Sequence, residues 1–280
     1  MSYARKFRVA PGASINLAQI DADFKPKGLD RDEAEKKFRE LTAELRDLQH
    51  LMYAESKRSL LIVLQGRDAA GKDGTIRHVF GPMNPQGTRV TSFKVPSKEE
   101  RAHDFLWRCH KAAPRTGMVS IFNRSHYEDV LVVRVHGLVP KKIWSKRFEH
   151  INAFERLLAD RGTVILKFFI HIDPVEQLKR FKKRIDNPRK NWKISDADYS
   201  ERHFWDAYTD AFEDALSKCS TDIAPWFVIP ANRKWARNLI IADIVAETMS
   251  SLDMRFPKPE VEMDEIRRKY HEAEKARTEF

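Results

Sequence analysis

Cysteine and long apolar runs are scarce in this sequence, and each scarcity removes a class of protein. Two cysteines, Cys109 and Cys219, in 280 residues cannot build a disulfide framework, and they lack metal-ligand spacing. A reducing compartment is the expectation. No apolar run approaches the ~20 residues that span a bilayer, and the opening stretch MSYARKFRVAPGAS carries positive charge without the apolar segment of a secretory leader. The chain is therefore expected to be soluble and cytoplasmic, with no membrane partner. His103, His110, His126, His136 and His150 show neither HExxH nor a paired metal spacing. Low-complexity linkers and solenoid-length repeats are also missing, so the 42% of hydrophobic residues are expected to form one large α/β core.

What is abundant is positive charge. Lys and Arg number 51 against 41 Asp and Glu, a formal charge of +10, which suits an anionic partner. Nucleotide, polyphosphate, nucleic acid and membrane surface all meet that description, and charge alone does not choose.

Residues 1–29 have turn-forming Pro11, Gly12, Pro26 and Gly28 but no period, and read as an irregular arm lying on the domain. From Asp30 the pattern sharpens. Asp30 and Glu33 make a capping box, and Ala34, Phe38, Leu41, Leu45, Leu48 and Met52 recur at steps of three and four, as a core-facing helical stripe does. Short apolar runs follow: SLLIVL (59–64), TRVTSF (88–93), MVSIF (118–122), TVILKFFIHI (163–172) and PWFVIP (225–230). Helical stretches separate them, one capped by Ser97 and Glu100 and a long one over 143–160. Buried-type strands alternating with helices predict a parallel sheet covered on both faces, with ligands at the carboxyl ends of the strands. The expected organisation is an arm (1–29), a domain over 30–256 with a lid near 177–200, and a charged helical tail (257–280).

The stretch LQGRDAAGKDGT (64–75) follows the first predicted strand and leads into helix-compatible sequence. Gly66 and Gly71-Lys72 match G-x-x-x-x-G-K, the loop whose backbone N–H groups close around phosphate oxygens while the lysine supplies a point charge. Gly66, Arg67, Ala69, Ala70, Gly71, Asp73, Gly74 and Thr75 are the expected nucleotide-phosphate contacts around Lys72. Asp73 stands where Ser or Thr would bind magnesium, and Thr75 comes two places late. Asp68 inside an anion-binding loop reads either as a metal ligand, since carboxylate and phosphate repel unless a cation lies between them, or as a turn-former bonding its own backbone.

FNRSHYEDVLVVRVHG (122–137) follows the third strand. Arg124 at the strand end points toward the crevice of the loop, where a guanidinium binds phosphate bidentately, and Glu128 and Asp129 lie within reach. Arg124 could equally pair with Glu128 at i, i+4, and Asp129 could be a solvated first-turn acid. In QLKRFKKRIDNPRKNWKIS (177–195), Lys179, Arg180, Lys182, Lys183, Arg184, Arg189, Lys190 and Lys193 face the single acid Asp186. Such a run is either a solvated helix face or, after the fourth strand of a phosphate-loop protein, a mobile lid supplying cations to a transferring phosphoryl group. The one-sided charge exceeds what one nucleotide requires and suggests a longer anion held by Lys179, Lys182, Lys183, Arg189, Lys190 and Lys193. Trp192 is a candidate substrate contact among tryptophans otherwise read as core or rim.

GRDAAGKDGTI, VPSKEERAHDFLWRCHKAAPRTG, FNRSHYEDVLV and NPRKNWKIS together resemble, in the same order, the signature blocks of the type 2 polyphosphate kinase family. The resemblance covers roughly residues 30–250. It implies a P-loop kinase-like, three-layer α/β/α fold with a central parallel sheet and a helical lid. It further implies magnesium or manganese as cofactor, and phosphoryl transfer between inorganic polyphosphate and adenine or guanine nucleotides, AMP/ADP and GMP/GDP. By the same resemblance Asp68, Lys72, Arg124 and Arg184 are catalytic and Asn123 joins the nucleotide site; Glu128, four residues after Arg124, is expected to join that site and, with Asp68, to hold the metal, an acid with its ion and water filling the place of the β-phosphate that AMP lacks. Asn123 occupies the place of the family's Walker B Asp, so that position offers no second carboxylate. The HYED form around Glu128 is similar to the subclass accepting both mono- and diphosphates. A homo-oligomer, dimer or tetramer, is implied, and nucleic acid is not an expected partner. The competing readings are an ATP-dependent nucleoside or nucleotide kinase and a basic RNA-binding protein.

Overall fold

A computed structural model describes residues 2–277. Five strands, β1 (Ser59–Gln65), β2 (Thr88–Ser92), β3 (Val119–Asn123), β4 (Thr163–His171) and β5 (Trp226–Pro230), form one sheet in the order β2-β3-β1-β4-β5. Every pairing is parallel. The longer helices are α1 (Arg31–Glu55), α2 (Arg147–Asp160), α3 (Pro174–Ile185), α4 (Trp205–Cys219), α5 (Lys234–Ser250) and α6 (Met263–Arg277).

The sheet separates two cores because successive side chains of a strand point to opposite faces. From β1, Leu60, Ile62 and Leu64 join Leu45 and Met52 of α1 and Ile240 and Ile244 of α5. Leu61 and Val63 point the other way, toward Phe154 of α2 and Phe212 and Leu216 of α4. This is the three-layer α/β/α arrangement expected from the run pattern. Both capping boxes, Asp30 with Glu33 and Ser97 with Glu100, form at their helix starts. The stretch expected as one helix over 143–160 is broken: a short turn, Lys141–Trp144, precedes α2.

The arm is more ordered than its composition suggests. After a short helix, Tyr3–Phe7, Arg8 bridges Phe227 antiparallel and the Val9 N–H reaches the Trp226 carbonyl at 2.8 Å, which covers the outer edge of β5. Of the expected tail, α6 is exposed throughout its length, and residues 278–280 lie outside the described residues.

The strand order fixes where chemistry can occur. The chain winds outward from β1 to β2, returns to β3, and crosses to β4 on the other side, so the order reverses between β1 and β3. A crevice opens there beyond the carboxyl ends, flanked by the loop after Gln65 and the turn after Asn123.

Candidate active site

The loop leaving β1 is held in conformations few residues adopt. Gly66 has φ +154°, where a Cβ would press within 2.7 Å of the Ile170 carbonyl oxygen; Ala69 follows at φ +61° and Gly71 at φ +112°. Lys72 arches back over the turn, its Nζ donating to the carbonyls of Gly66 (2.7 Å) and Arg67 (3.3 Å). Its pKa is lowered by burial, against the raising charge of Asp68. Thr75 is buried and its hydroxyl donates to the Gly71 carbonyl, so the side chain turns inward. Asp73 faces out, accepting from Asn123 Nδ2 at 2.9 Å. Arg67 lines the crevice from the side of Trp205: its guanidinium stacks 3.8 Å from the Trp205 ring centroid, donates to Thr209, and is pushed down to about 10 by burial.

Arg124 completes the crevice from β3. Its φ is +61°, unusual without glycine, and its N–H bonds to the Leu64 carbonyl at 3.1 Å, which ties the turn to β1. The guanidinium donates to Asp68 at 2.9 Å. The partner that Arg124 engages is Asp68 across the crevice, not the Glu128 that the i, i+4 spacing offered. Residues His126–Asp129 form a tight 3₁₀ turn rather than the regular helix an i, i+4 pair requires. Burial raises the Glu128 pKa, while Arg124 and Lys72 work to lower it, which places all three in one field. Asp129 turns away, to Arg147 at 2.9 Å and Arg108 at 3.7 Å.

Between those residues, His126 and Tyr127 dive into the core. Glu155 of α2 accepts from His126 (3.1 Å) and Tyr127 (2.9 Å), and Lys167 of β4 donates to Glu155, to the Tyr127 hydroxyl and to the Cys219 carbonyl. This ionic cluster, with Lys167 and Glu155 at 0% and 1% side-chain exposure, anchors the turn that presents Arg124 and Glu128. Cys109 and Cys219 are free, and burial pushes both thiols up to about 12.

The basic stretch divides into inward and outward cations. Lys179, Lys182, Lys183, Arg189, Lys190 and Lys193 are exposed, as is Trp192. Lys193 reaches Asp73 at 3.4 Å, closing the lid segment across the loop. Arg184 is spent within the lid, donating to the Lys193 carbonyl (2.9 Å) and Asp198 (3.3 Å), and does not meet Asp68 or Arg124. Arg180 is buried behind the loop, donating to the carbonyls of Ala69 (2.9 Å) and Ala70 (2.6 Å) while its Nε pairs with Glu176. Arg237 of α5 lies against Gly71 and Gly74 from the same side. The sequence reading assigned no role to Arg237, although a lone arginine entering an apolar helical run is a visible signal.

Between loop, turn and lid lies a cavity of about 490 Å³. Asp68, Arg124 and Glu128 line it together with apolar Val95, Leu131, Val132 and Ala197. At its rim Glu201 accepts from the Tyr208 hydroxyl at 2.9 Å and meets His136 at 3.0 Å. A larger groove of about 750 Å³ runs along the outer face of α1 beside Phe256, but none of the residues above line it.

A parallel sheet with a glycine-lysine loop after its first strand, an arginine after β3 at the reversal of strand order, and a basic lid latched across the loop defines a P-loop kinase-like fold. The profile of the polyphosphate kinase 2 family matches residues 28–257, and the chain belongs to that family. It is 49% identical to the AMP/ADP-polyphosphate phosphotransferase of Meiothermus ruber, over 94% of this chain and 98% of that one. It is 44% identical to the ADP-polyphosphate phosphotransferase of Rhodopseudomonas palustris, over 91% and 92% of the two chains. The crystal structure of polyphosphate kinase 2 from Arthrobacter aurescens superposes with a TM-score of 0.93 at 39% identity, covering 97% of each chain. No helix among the described residues is long and apolar enough to cross a membrane.

Proposed function

We propose that this chain transfers phosphoryl groups between inorganic polyphosphate and AMP or ADP, with GMP and GDP as further acceptors. The observation that carries the reading is the convergence of Asp68, Arg124 and Glu128 on the wall of a half-apolar cavity, with buried Lys72 in the same electrostatic field, beneath a lid whose outer cations exceed the needs of one nucleotide. The acceptor is already an anion, so no strong general base is required. The demand is for cations that hold charged groups in line. The nucleoside occupies the apolar part of the cavity, its terminal phosphate reaches Arg124 and Lys72, and the polymer runs along Lys179, Lys182, Lys183, Arg189, Lys190 and Lys193. In the forward step the terminal P–O bond of the polymer breaks and a new anhydride forms on the nucleotide. The shortened chain leaves as an oxyanion.

Magnesium suits the donor set. No three-ligand acid, histidine or cysteine cluster exists among the described residues, whereas Asp68 and Glu128 line the same cavity, the pattern of an ion that brings phosphate oxygens and water for its remaining positions. When bound, it would neutralise charge on the reacting phosphates; manganese shares the oxygen preference and would substitute. Asp68, Glu128, Lys72 and Arg124 orient the groups around it.

Incubating the purified chain with terminally labelled polyphosphate, magnesium and AMP, ADP, GMP or GDP tests the reading. Label should appear in the newly added phosphate of each nucleotide. Replacing Glu128 by Ala should depress AMP use more than ADP use, because the shorter acceptor leaves a gap that an acid with its ion and water fills. Label transfer only from ATP would replace this reading with that of an ATP-dependent kinase.

A further inference from the structure

Arg237 has no counter-charge. The residue is 2% exposed, yet among the described residues its guanidinium donates only to the side-chain oxygen of Asn238 (3.1 and 2.7 Å) and to the Ala70 carbonyl (3.4 Å). No carboxylate among the described residues pairs with it; the charge of Arg180 acts on it and, with burial as the larger cause, pulls its pKa to about 9. Arg180 differs, since Glu176 balances it at 2.8 Å. A buried guanidinium facing dipoles alone is costly and persists where something offsets it.

What lies on its other side is one turn of backbone. A Cβ built on Gly71 would overlap the Arg237 guanidinium, and one on Gly74 would come within 3.4 Å, so the turn rests directly on the cation. Gly71 is therefore needed twice, for φ +112° and for the space Arg237 fills. The Ala70 carbonyl receives both Arg180 and Arg237. The Ala70–Gly71 peptide is trans, so that carbonyl pointing inward obliges the Gly71 N–H to point outward, into the concavity where a phosphate is read.

We infer that Arg237 is a positioning residue that charges the phosphate loop from behind: it orients the Ala70–Gly71 peptide with its N–H toward the ligand and leaves the loop with an unbalanced positive charge that a bound phosphate neutralises. The inference rests on the reading of residues 66–73 as the phosphate-binding loop. Arg237 touches no substrate. It stores part of the loop's anion affinity as an instability of the ligand-free protein, a trade recognisable by its opposite effects on stability and binding.

The test uses the full chain and inorganic tripolyphosphate with magnesium, followed by calorimetry and by thermal melting. Arg237→Met removes charge and tether, Arg237→Gln keeps a donor for the Ala70 carbonyl without charge, and Arg237→Lys keeps charge without the planar donors. Both neutral variants should bind tripolyphosphate about tenfold more weakly. Ligand-free, Arg237→Met should melt no lower than wild type, and its ligand-induced rise in Tm should shrink; Arg237→Lys should recover most of the affinity. Should Arg237→Met fail to fold, Arg237→Gln still decides. Wild-type affinity in the neutral variants would overturn the inference and make Arg237 a packing residue. Wild-type protein that fails to bind tripolyphosphate would instead overturn the phosphate-loop reading, and this inference with it.

Discussion

Replacing Lys167 by Met removes one member of the buried cluster under the catalytic turn and strands the others. Lys167 and Glu155 are 0% and 1% exposed, and the ammonium has three acceptors: Glu155, the Tyr127 hydroxyl at 2.9 Å and the Cys219 carbonyl at 2.6 Å. Breaking such a pair leaves a buried carboxylate without its ammonium counter-charge, with only His126 and Tyr127 still bonded to it, a loss of about 3–5 kcal/mol. A domain of ordinary stability has only about 5–15 kcal/mol, so the loss is large without being fatal. Urea titration should show it as a lowered midpoint with unchanged slope. Adding Glu155→Leu removes the stranded charge, so the double variant should be more stable than Lys167→Met alone, the reverse of additivity. The folded fraction of Lys167→Met should also lose turnover, by about tenfold or more, because Tyr127 then no longer fixes the turn between Arg124 and Glu128. A single-variant loss under ~1 kcal/mol, or a double variant as unstable as the two losses summed, would refute the picture of a desolvated pair anchoring the site.

Lys72→Ala and Asp68→Ala should each reduce kcat by two orders of magnitude or more while leaving the melting temperature near wild type, since losing one preorganised contact to developing charge costs about 3 kcal/mol; near-normal turnover would remove the loop from the mechanism. The Lys193 to Asp73 latch is partly exposed, at 37% and 69%, so Lys193→Ala should shift stability by less than ~1 kcal/mol but flatten the salt dependence of polyphosphate KM, measured across a salt series. Acidification should destabilise the fold in two stages. Burial lowers the His126 pKa, and Lys167 with His126 outweighs burial to hold Glu155 below the usual carboxylate range, so both groups take up protons on unfolding. The His126 part is lost as pH falls below about 6.5 and the Glu155 part below about 4.3, and urea midpoints across that range should show His126→Asn removing the upper stage and weakening the lower one, since His126 helps to hold the Glu155 carboxyl down.

Local features were legible in the sequence where neighbours decide them. The Asp30–Glu33 box, the stripe through Leu45 and Met52, and the five apolar runs each specify an element from within one segment, and all formed. The turn after β3 was legible only in part. Arg124 could be placed at the crevice, but its partner Asp68 lies 56 residues away, and the fate of His126 and Tyr127 depends on Glu155 and Lys167 from other layers. The basic stretch presents Arg180 and Arg184 as equivalent. Helical phase puts both on the side of buried Gln177 and Phe181, and only tertiary packing turns Arg180 under the loop while Asp198 captures Arg184. Arg237 acts on a loop 167 residues earlier in the chain, a distance over which spacing carries no signal.

The central claim is that polyphosphate, not a nucleoside triphosphate, is the phosphoryl donor at the site built by Asp68, Lys72 and Arg124. Luciferase light from a mixture of purified chain, magnesium, ADP and polyphosphate, with no other nucleotide present, tests it most directly. The account predicts ATP formation that requires polyphosphate, is abolished by a chelator, and falls at least a hundredfold in Lys72→Ala. ATP that accumulates equally without polyphosphate, or no ATP at all while the same protein phosphorylates nucleosides from added ATP, would contradict it.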